Sequence, residues 1–405
     1  MKFNAFEILR KFNYDPNSVK KNYDGKTDIY LAKASYRYAY FKRIVLVLLV
    51  ALIIAFLLSG NISYNKLYYL TKDFKLANDY VNSIHDTITY NVGNSQSFAT
   101  YRGGLAVASR ERLSIFSAGG RELFTSTHSY GNPMLATNDK YILLYDVGGK
   151  QYSLYNSFSK TSSKTLDYPI YGASVAQNGA FALITRSEKY NSVVSVYAQN
   201  GNKYDYNFSQ GYVSAISLSQ NGRYIAIVLT FGEGAELVNM LRLYKVGSND
   251  YSQAKITFSS IPYAVKIFDG RNVCVVGADG VNAFNANLNL LGEYLSDEEI
   301  YLYHFGEDNI AICHPVEKSG KTKIVLLDKR GKIDKNIESA DRIIDIAVYE
   351  GYLFAQKIDG FERINIALNV GSEIKLVATD FKIIPYDKDT LIVCNDSYAR
   401  FINFK

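Results

Sequence analysis

Histidine is the side chain best suited to bind a metal or to move a proton near neutral pH, so the spacing of the histidines comes first. Of the four in the chain, only His304 and His314 are close together, with Cys313 beside the second. On antiparallel neighbouring strands the two histidines could share a sheet, but Cys313 would point to its opposite face. Zinc needs three or four converging ligands. We therefore predict no metal site and expect ordinary hydrogen bonds for these histidines.

The segment EKSGKT, at residues 317–322, resembles the end of a phosphate-binding loop. That loop needs a glycine five positions before Gly320, and it joins a strand to a helix. Here Pro315 occupies the glycine position, and both flanking segments have the character of strands. The segment therefore predicts a hairpin loop, and no nucleotide or other cofactor is expected.

Nucleophilic catalysis needs a serine or cysteine beside a histidine and an acid. No nucleophile elbow occurs, and Cys274, Cys313 and Cys394 each lie inside an apolar run without a C-x-x-C pair. These cysteines are expected to be small buried core residues. The sequence thus assigns no catalytic residue, although an enzyme whose site is assembled only in space remains an alternative.

Any functional side chains must be positioned by a unit that the sequence repeats. An alternating apolar strand, a short polar turn and a second apolar strand recur, with turns centred at 103, 138, 178, 221, 269, 307, 350 and 388. Two of these turns, Gln177-Asn178-Gly179 and Gln220-Asn221-Gly222, have the Asn-Gly pair that accepts positive φ in a tight hairpin. Strand-only units with a period of about 40 residues are typical of β-propellers. We predict an all-β, eight-bladed propeller over residues 85–405, with seven blades as the alternative.

The two ends of the repeat predict how the ring closes. The last unit stops at ARFINFK and has no room for a fourth strand, whereas an extra strand, HDTITYNV, precedes the first unit. If the segment 85–92 pairs with the final strand, the chain ends join in one blade and no sheet edge is left open.

These turn phrases and the strand pattern resemble β-propellers of the WD40-like and quinoprotein-like kind. A basic tail, one anchor and a propeller further resemble an uncharacterised family of bacterial membrane-anchored proteins, a domain of unknown function. The chain contains no tryptophan, so the Trp-Asp hydrogen-bond network of true WD40 repeats and the tryptophan docking of quinoproteins are not implied. The resemblance implies a fold and no activity.

A membrane anchor is predicted before the repeats. Residues 44–58 are uninterrupted apolar residues, and with their flanks they reach the length that spans a bilayer. An uncleaved transmembrane anchor over 44–60 is favoured over a cleaved signal peptide, because 43 residues precede it. Lys42 and Arg43 at its start place the N-terminus in the cytoplasm and the propeller outside the cell. A helical stripe predicts a juxtamembrane helix within 61–84.

Charge is concentrated in the predicted cytoplasmic tail, residues 1–43, which contain ten Lys or Arg and four Asp or Glu. The net charge of the chain is +6, so the remainder is neutral overall. A nucleic-acid-binding body would need a basic face, and none is indicated. The tail is suited to the anionic inner leaflet of the membrane.

Two adjacent predicted loops indicate a docking surface: residues 187–192 in the third unit and the longest insertion, 231–240, in the fourth, where Gly232 and Gly234 indicate a flexible loop. Both are expected on the propeller face that bears the blade-to-blade connections. The candidate partner-binding residues are Glu188, Lys189, Tyr190, Phe231, Glu233 and Glu236. The sequence therefore predicts a membrane-anchored scaffold that binds a protein or cell-envelope partner. Two alternatives stay open: an extracytoplasmic hydrolase or lyase at the channel mouth, and a sensor that signals through the anchor.

Overall fold

The computed structural model of the protein describes residues 40–51, 87–90, 97–156, 159–268, 271–316, 320–376 and 382–404. The chain divides into two units, Met1–Leu67 and Tyr68–Lys405. In the first unit, residues 40–51 form an exposed α-helix, α1, which contains Lys42, Arg43 and the first part of the predicted anchor. None of the helical residues described makes a helix long and apolar enough to cross a bilayer. Residues 1–39 of the predicted tail, the end of the anchor and the predicted helix within 61–84 lie outside the described residues.

The second unit is all-β in its described residues. Its strands, in chain order, are β1 Thr87–Thr89, β2 Ser97–Tyr101, β3 Gly104–Ala108, β4 Arg112–Ser117, β5 Glu122–Thr127, β6 Pro133–Thr137, β7 Tyr141–Asp146, β8 Gln151–Asn156, β9 Ser159–Thr165, β10 Gly172–Val175, β11 Phe181–Thr185, β12 Ser192–Tyr197, β13 Lys203–Phe208, β14 Tyr212–Leu218, β15 Tyr224–Glu233, β16 Glu236–Lys245, β17 Tyr251–Lys255, β18 Pro262–Ile267, β19 Val273–Gly277, β20 Gly280–Phe284, β21 Leu290–Leu295, β22 Leu302–Phe305, β23 Asn309–Pro315, β24 Thr322–Asp328, β25 Ile333–Ser339, β26 Asp345–Tyr349, β27 Tyr352–Gln356, β28 Gly360–Asn365, β29 Val370–Lys375, β30 Lys382–Pro385, β31 Thr390–Cys394 and β32 Tyr398–Asn403.

These strands form eight four-stranded antiparallel sheets, which are the blades of a β-propeller. Blades 1 to 7 are β2–β5, β6–β9, β10–β13, β14–β17, β18–β21, β22–β25 and β26–β29, and blade 8 is β30–β32 with β1. The prediction of eight blades rather than seven is confirmed. The first strand of each unit, from β2 to β30, is the innermost strand of its blade.

Two faces of the propeller follow from this antiparallel order. The connections between blades and the turns between second and third strands lie at one end of the strands, and we call this end the connection face. The turns between first and second strands, such as those at Gly179 and Gly222, lie at the opposite end, the turn face. Both glycines have positive φ, 88° and 67°, as the Asn-Gly turns require.

The ring closes as the sequence predicts. Ile88 in β1 pairs with Ala399 in β32, so the N-terminal strand supplies the outer edge of blade 8. The Tyr90 N–H continues the pairing by donating to the Ser397 carbonyl at 3.0 Å, and the Tyr90 hydroxyl donates to the Asn395 carbonyl at 2.7 Å. Both termini of the propeller are thereby held in one sheet.

The hydrophobic core of the propeller consists of eight clusters, one at each junction between neighbouring blades. At the junction of blades 3 and 4, for example, Val194 and Val196 pack in the same cluster as Ile225 and Ile227. The second strands are buried on both faces, because each blade lies between two others; β11 and β19 are buried along their whole length. This explains why the sequence has continuous apolar runs at these strands rather than strict alternation.

The innermost strands have an edge that no strand covers, and side chains of the preceding blade bind to it. Backbone N–H groups of one blade donate to side chains of the blade before it: Leu135 to Ser97 Oγ, Leu218 to Ser174 Oγ, Ile267 to Ser217 Oγ, Val348 to His304 Nδ1 and Ile383 to Asp345 Oδ2. At the other three junctions a side chain donates to a carbonyl of the next blade: Asn138 to Val175, Lys266 to Gly306 and Tyr386 to Gly103. Every junction therefore has at least one hydrogen bond between residues of the inner strands or of the turns that follow them.

Replacing Ile88 by alanine tests the seam. Ile88 is 2% exposed and packs with Leu105 and Val107 of blade 1, so its truncation should lower the free energy of unfolding by about 2–4 kcal/mol. The measurement is urea unfolding of the full-length chain in detergent. The matched control is Thr89→Ala, an exposed position on the same strand, which should change stability by less than about 0.5 kcal/mol. Equal effects of the two substitutions would contradict closure through β1.

Candidate functional site

The segment 231–240, predicted from its sequence as a long loop, is instead a continuation of the sheet of blade 4. Strands β15 and β16 remain paired to Glu233 and Glu236, joined by a turn at Gly234 with φ 64°. The strands on either side do not reach as far. Tyr212, the first residue of β14, pairs with Thr230, and Lys255, the last residue of β17, pairs with Met240. Residues 231–238 thus form a two-stranded hairpin tip that extends beyond the other strands of its blade on the connection face.

On one side, the hairpin tip is linked to the predicted loop of blade 3. The Asn191 side chain donates to the Ser209 carbonyl at 3.2 Å, which ties the loop 186–191 to the connection that leads into blade 4. In that connection Gly211 lies so close to Phe231 that a Cβ at Gly211 would be 3.0 Å from the Phe231 Cβ. The structure therefore brings the two predicted segments together through the connection between their blades.

The six predicted partner-binding residues differ in exposure. Glu188, Lys189, Glu233 and Glu236 are exposed, whereas Tyr190 and Phe231 are half-buried. The Tyr190 N–H donates to the Ser187 hydroxyl at 3.0 Å, closing the loop of blade 3. The charged members of the set are therefore available to a partner, and the two aromatic members also support the loop and the hairpin.

On its other side, the hairpin is fixed to the connection between blades 4 and 5. The Asn239 side-chain amide donates to the Ser260 carbonyl at 2.7 Å and to the Phe258 carbonyl at 3.3 Å. The Asn239 side-chain carbonyl accepts a hydrogen bond from the Thr230 hydroxyl at 2.8 Å. Since Asn239 is 1% exposed, these are buried hydrogen bonds that hold the base of the hairpin against blade 5.

Asp279, in the turn between β19 and β20, also holds the connection between blades 4 and 5. Its carboxylate accepts hydrogen bonds from the backbone N–H and hydroxyl groups of Ser259 and Ser260. Burial alone would raise the pKa of Asp279, but the hydrogen bonds from Ser260 and Ser259 outweigh it and lower the pKa below the usual value. An ionised carboxylate therefore fixes the segment that leads to Ile261.

Large apolar side chains are exposed around this hairpin, and the sequence did not single them out. Tyr212 is 62% exposed, Ile261 58%, Leu237 41% and Tyr263 39%. The Tyr263 ring stacks on Tyr303 of blade 6 with ring centroids 6.1 Å apart. Because exposed apolar side chains grouped on one face are typical of interaction sites, we define the candidate surface as the connection face of blades 3–5 around the hairpin tip.

The central channel has a different character. Its inner strands carry ionisable side chains on four consecutive blades: Lys266, His304, Asp345 and Lys382. Burial, with the charges of Lys266 and Lys382, lowers the pKa of His304 to about 4. Burial raises the pKa of Asp345, against the hydrogen bond from the Ile383 N–H and the charge of Lys382.

Lys266, His304 and Asp345 hold neighbouring blades together through hydrogen bonds. His304 Nδ1 accepts the Val348 N–H at 3.1 Å, so the neutral ring has its proton on Nε2. An enzyme at the channel mouth would call for three or more acidic, histidine or arginine side chains converging there. The inner strands of these four blades carry two such side chains, His304 and Asp345. Both accept backbone N–H groups of the next blade, which assigns them a structural role.

The other chemically interesting residues are also placed by packing. His304 and His314 lie on the neighbouring strands β22 and β23 of blade 6, as the sequence allowed, and His314 hydrogen-bonds through Nε2 to the Tyr294 hydroxyl at 2.8 Å. The three cysteines are buried, and burial raises the pKa of each thiol, to about 12 for Cys274. Among the described residues no group of three or more His, Cys, Asp or Glu side chains is placed to hold a metal ion.

Comparison with known proteins agrees with this architecture. Residues 78–404 match the model of a family of unknown function, DUF5711. The chain belongs to this family. No curated protein matches it significantly.

The solved structures similar to this chain are β-propellers, and their sequence identity to it is very low. Sqt1 from Saccharomyces cerevisiae matches with a TM-score of 0.57 and 11% identity, covering 80% of this chain and 100% of that one. Sqt1 from Chaetomium thermophilum gives a TM-score of 0.55 at 12% identity, over 78% and 98% of the two chains. BamB from Moraxella catarrhalis gives a TM-score of 0.50 at 12% identity, over 80% and 98%. These likenesses show the fold alone.

The low pKa of His304 predicts that the stability of the protein depends on pH. The unfolded chain, with a histidine pKa of about 6.5, takes up a proton before the folded chain does, so stability is lost as the pH falls from about 6.5 to about 4. The loss attributable to His304 should be roughly 3 kcal/mol.

His304→Asn keeps an acceptor for the Val348 N–H and removes the titration. The free energy of unfolding of the wild type and of this variant should be measured by urea at pH values between 4 and 7. We expect the wild type to lose stability relative to the variant as the pH falls. Two parallel curves would show that His304 does not stay neutral in the folded protein.

Proposed function

We propose that the protein is a membrane-anchored scaffold that presents the connection face of blades 3–5 to a protein or cell-envelope partner outside the cell. The observation that carries this proposal is the group of exposed apolar side chains, Tyr212, Leu237 and Ile261, around a hairpin tip that extends beyond its blade. Hydrogen bonds from Asn239 hold the hairpin on the side of blade 5, and on its other side Phe231 packs against the connection at Gly211. The surface is therefore preorganised, and a partner need not order it on binding.

The rest of the propeller supports a binding role because its stability does not depend on this surface. The packing clusters lie between the blades and the hydrogen bonds of the inner strands lie around the channel. Residues at the hairpin tip can therefore be devoted to recognition. Function in a propeller comes from such surface residues and not from the fold.

A photo-crosslinking amino acid at position 237 tests the docking surface. In membranes carrying the full-length chain, it should give a discrete adduct with one partner, because Leu237 lies on the proposed surface. The matched control is the same residue at position 368, where an exposed leucine lies between β28 and β29 on the turn face of blade 7. Tyr212→Ser together with Ile261→Ser should reduce the adduct at position 237 severalfold. The same adduct from position 368, or no reduction by the two serine substitutions, would refute the assignment.

The proposed anchor fixes where this surface is displayed. The apolar run 44–58 follows Lys42 and Arg43, and positive charge before a span favours a cytoplasmic N-terminus. Protease added to intact cells should therefore remove a C-terminal epitope, while an N-terminal epitope is protected. Lys42→Glu with Arg43→Glu should reduce the fraction with this orientation, whereas Lys66→Glu with Lys72→Glu should not. Protection of the C-terminal epitope in the wild type would place the propeller inside the cell and contradict the proposal.

A further inference from the structure

We infer that the partner binds through an extended segment rich in lysine and arginine, with apolar residues between them. The inference rests on the proposed function and concerns the part of the candidate surface that belongs to blades 4 and 5. We call this part the acidic surface. Its exposed apolar residues are Tyr212, Leu237, Ile261 and Tyr263, and its carboxylates are Glu233, Glu236, Asp279, Asp297, Glu298 and Glu299.

The first argument is the sign of the charge. Between the flanking residues Tyr212 and Tyr263, the acidic surface comprises five segments: the connections 209–211, 256–261 and 296–301, the hairpin tip 231–238 and the turn 278–279. Together they contain six carboxylates and no lysine or arginine. Lys255 ends the outermost strand of blade 4 and is not part of these segments. In a neutral body, this separation of charge creates a negative field that attracts basic partners and repels nucleic acid and anionic lipid.

The second argument is that these carboxylates lack cations within the protein. On the connection face of blade 7, by contrast, a lysine neutralises the carboxylates: Lys357 Nζ lies 2.8 Å from a carboxylate oxygen of Glu362 and 3.8 Å from one of Asp341. No ion pair among the described residues includes a carboxylate of the acidic surface. Asp279 is engaged by Ser259 and Ser260, and Glu299 accepts a hydrogen bond from the Tyr263 hydroxyl at 3.4 Å. The exposed hairpin carboxylates Glu233 and Glu236 have no such bond among the described residues, so their charge can pair with cations of another molecule.

The third argument is the aromatic content of the surface. Tyr212 and Tyr263 are exposed tyrosines, and cations are attracted to the faces of aromatic rings. The protein already uses this interaction beside the acidic surface, where the Arg186 guanidinium lies 4.6 Å from the centre of the Tyr171 ring. Tyrosines between carboxylates suit lysine and arginine side chains, whose aliphatic stems pack on the rings while their charged ends reach the acids.

The fourth argument concerns the shape of the bound segment. Strand β16 pairs with β17 only from Met240 onward, so the outer edge of its residues 236–238 has no neighbouring strand among the described residues. Leu237 is on the side of the hairpin that faces blade 5, as is Asn239, which is bonded to the residue preceding Ile261. An extended segment can lie along this short edge, with backbone hydrogen bonds to β16 and an apolar side chain between Leu237 and Ile261.

Peptide binding to the full-length chain in detergent tests the inference. The probe is a fluorescein-labelled decapeptide of alternating lysine and leucine, measured by fluorescence anisotropy at 0.15 M salt, and the comparison peptide has glutamate in place of lysine. We expect the lysine peptide to bind and the glutamate peptide not to bind. Glu233→Gln, Glu236→Gln and Glu299→Gln together should raise the dissociation constant about tenfold.

The control variant neutralises three exposed carboxylates elsewhere, Glu122→Gln, Glu307→Gln and Asp334→Asn, and should leave binding unchanged. Equal weakening by the two triple variants, or equal binding of both peptides, would overturn the inference. Self-association of the chain that is lost in the first variant, without peptide binding, would also overturn it by assigning the surface to a second copy. If the crosslink at position 237 depends on Tyr212 and Ile261 but not on the three glutamates, the scaffold function stands and only the basic partner is refuted.

Discussion

No blade of this propeller can bury both of its faces alone, and this constraint governs the rest of the structure. The second strands are apolar along their length, so each blade exposes a hydrophobic surface unless another blade covers it on either side. Only a closed ring satisfies all eight blades at once. Closure in turn requires the chain ends to meet, which they do where β1 completes blade 8 and Ile88 packs toward blade 1.

Closing the ring leaves a second requirement at its centre. Each innermost strand has backbone groups facing the channel with no strand to pair them, and such buried groups need partners. The chain solves this at equivalent places on successive blades with different residues: Ser174 and Ser217 accept an N–H of the next blade, and so does His304. Lys266, which cannot accept, donates to the Gly306 carbonyl instead. Three ionisable groups of the channel, Lys266, His304 and Asp345, thus hold neighbouring blades together.

The extent to which the sequence predicts this protein depends on whether a feature is local. The Asn-Gly turns at Gly179 and Gly222 were predictable because two residues determine them, and the seam was predictable because the last unit lacks a strand. The hairpin tip was missed because Gly232 and Gly234 indicated a loop. A signal that could have found it is the apolar character that continues into Phe231 before Gly234 and begins again at Leu237 after it. The predicted anchor within 44–60 remains a prediction.

The candidate surface illustrates why exposure is harder to predict than fold. The alternation of apolar residues along this segment predicts that Ile261 and Tyr263 lie in the core. They are exposed only because of the path that the connection between blades 4 and 5 takes. That path is fixed by side chains distant in sequence, Asn239 on one side and Asp279 on the other. The two residues hold an apolar segment away from the core at the cost of buried polar contacts. The exposed position of this apolar segment is what the proposed docking role requires.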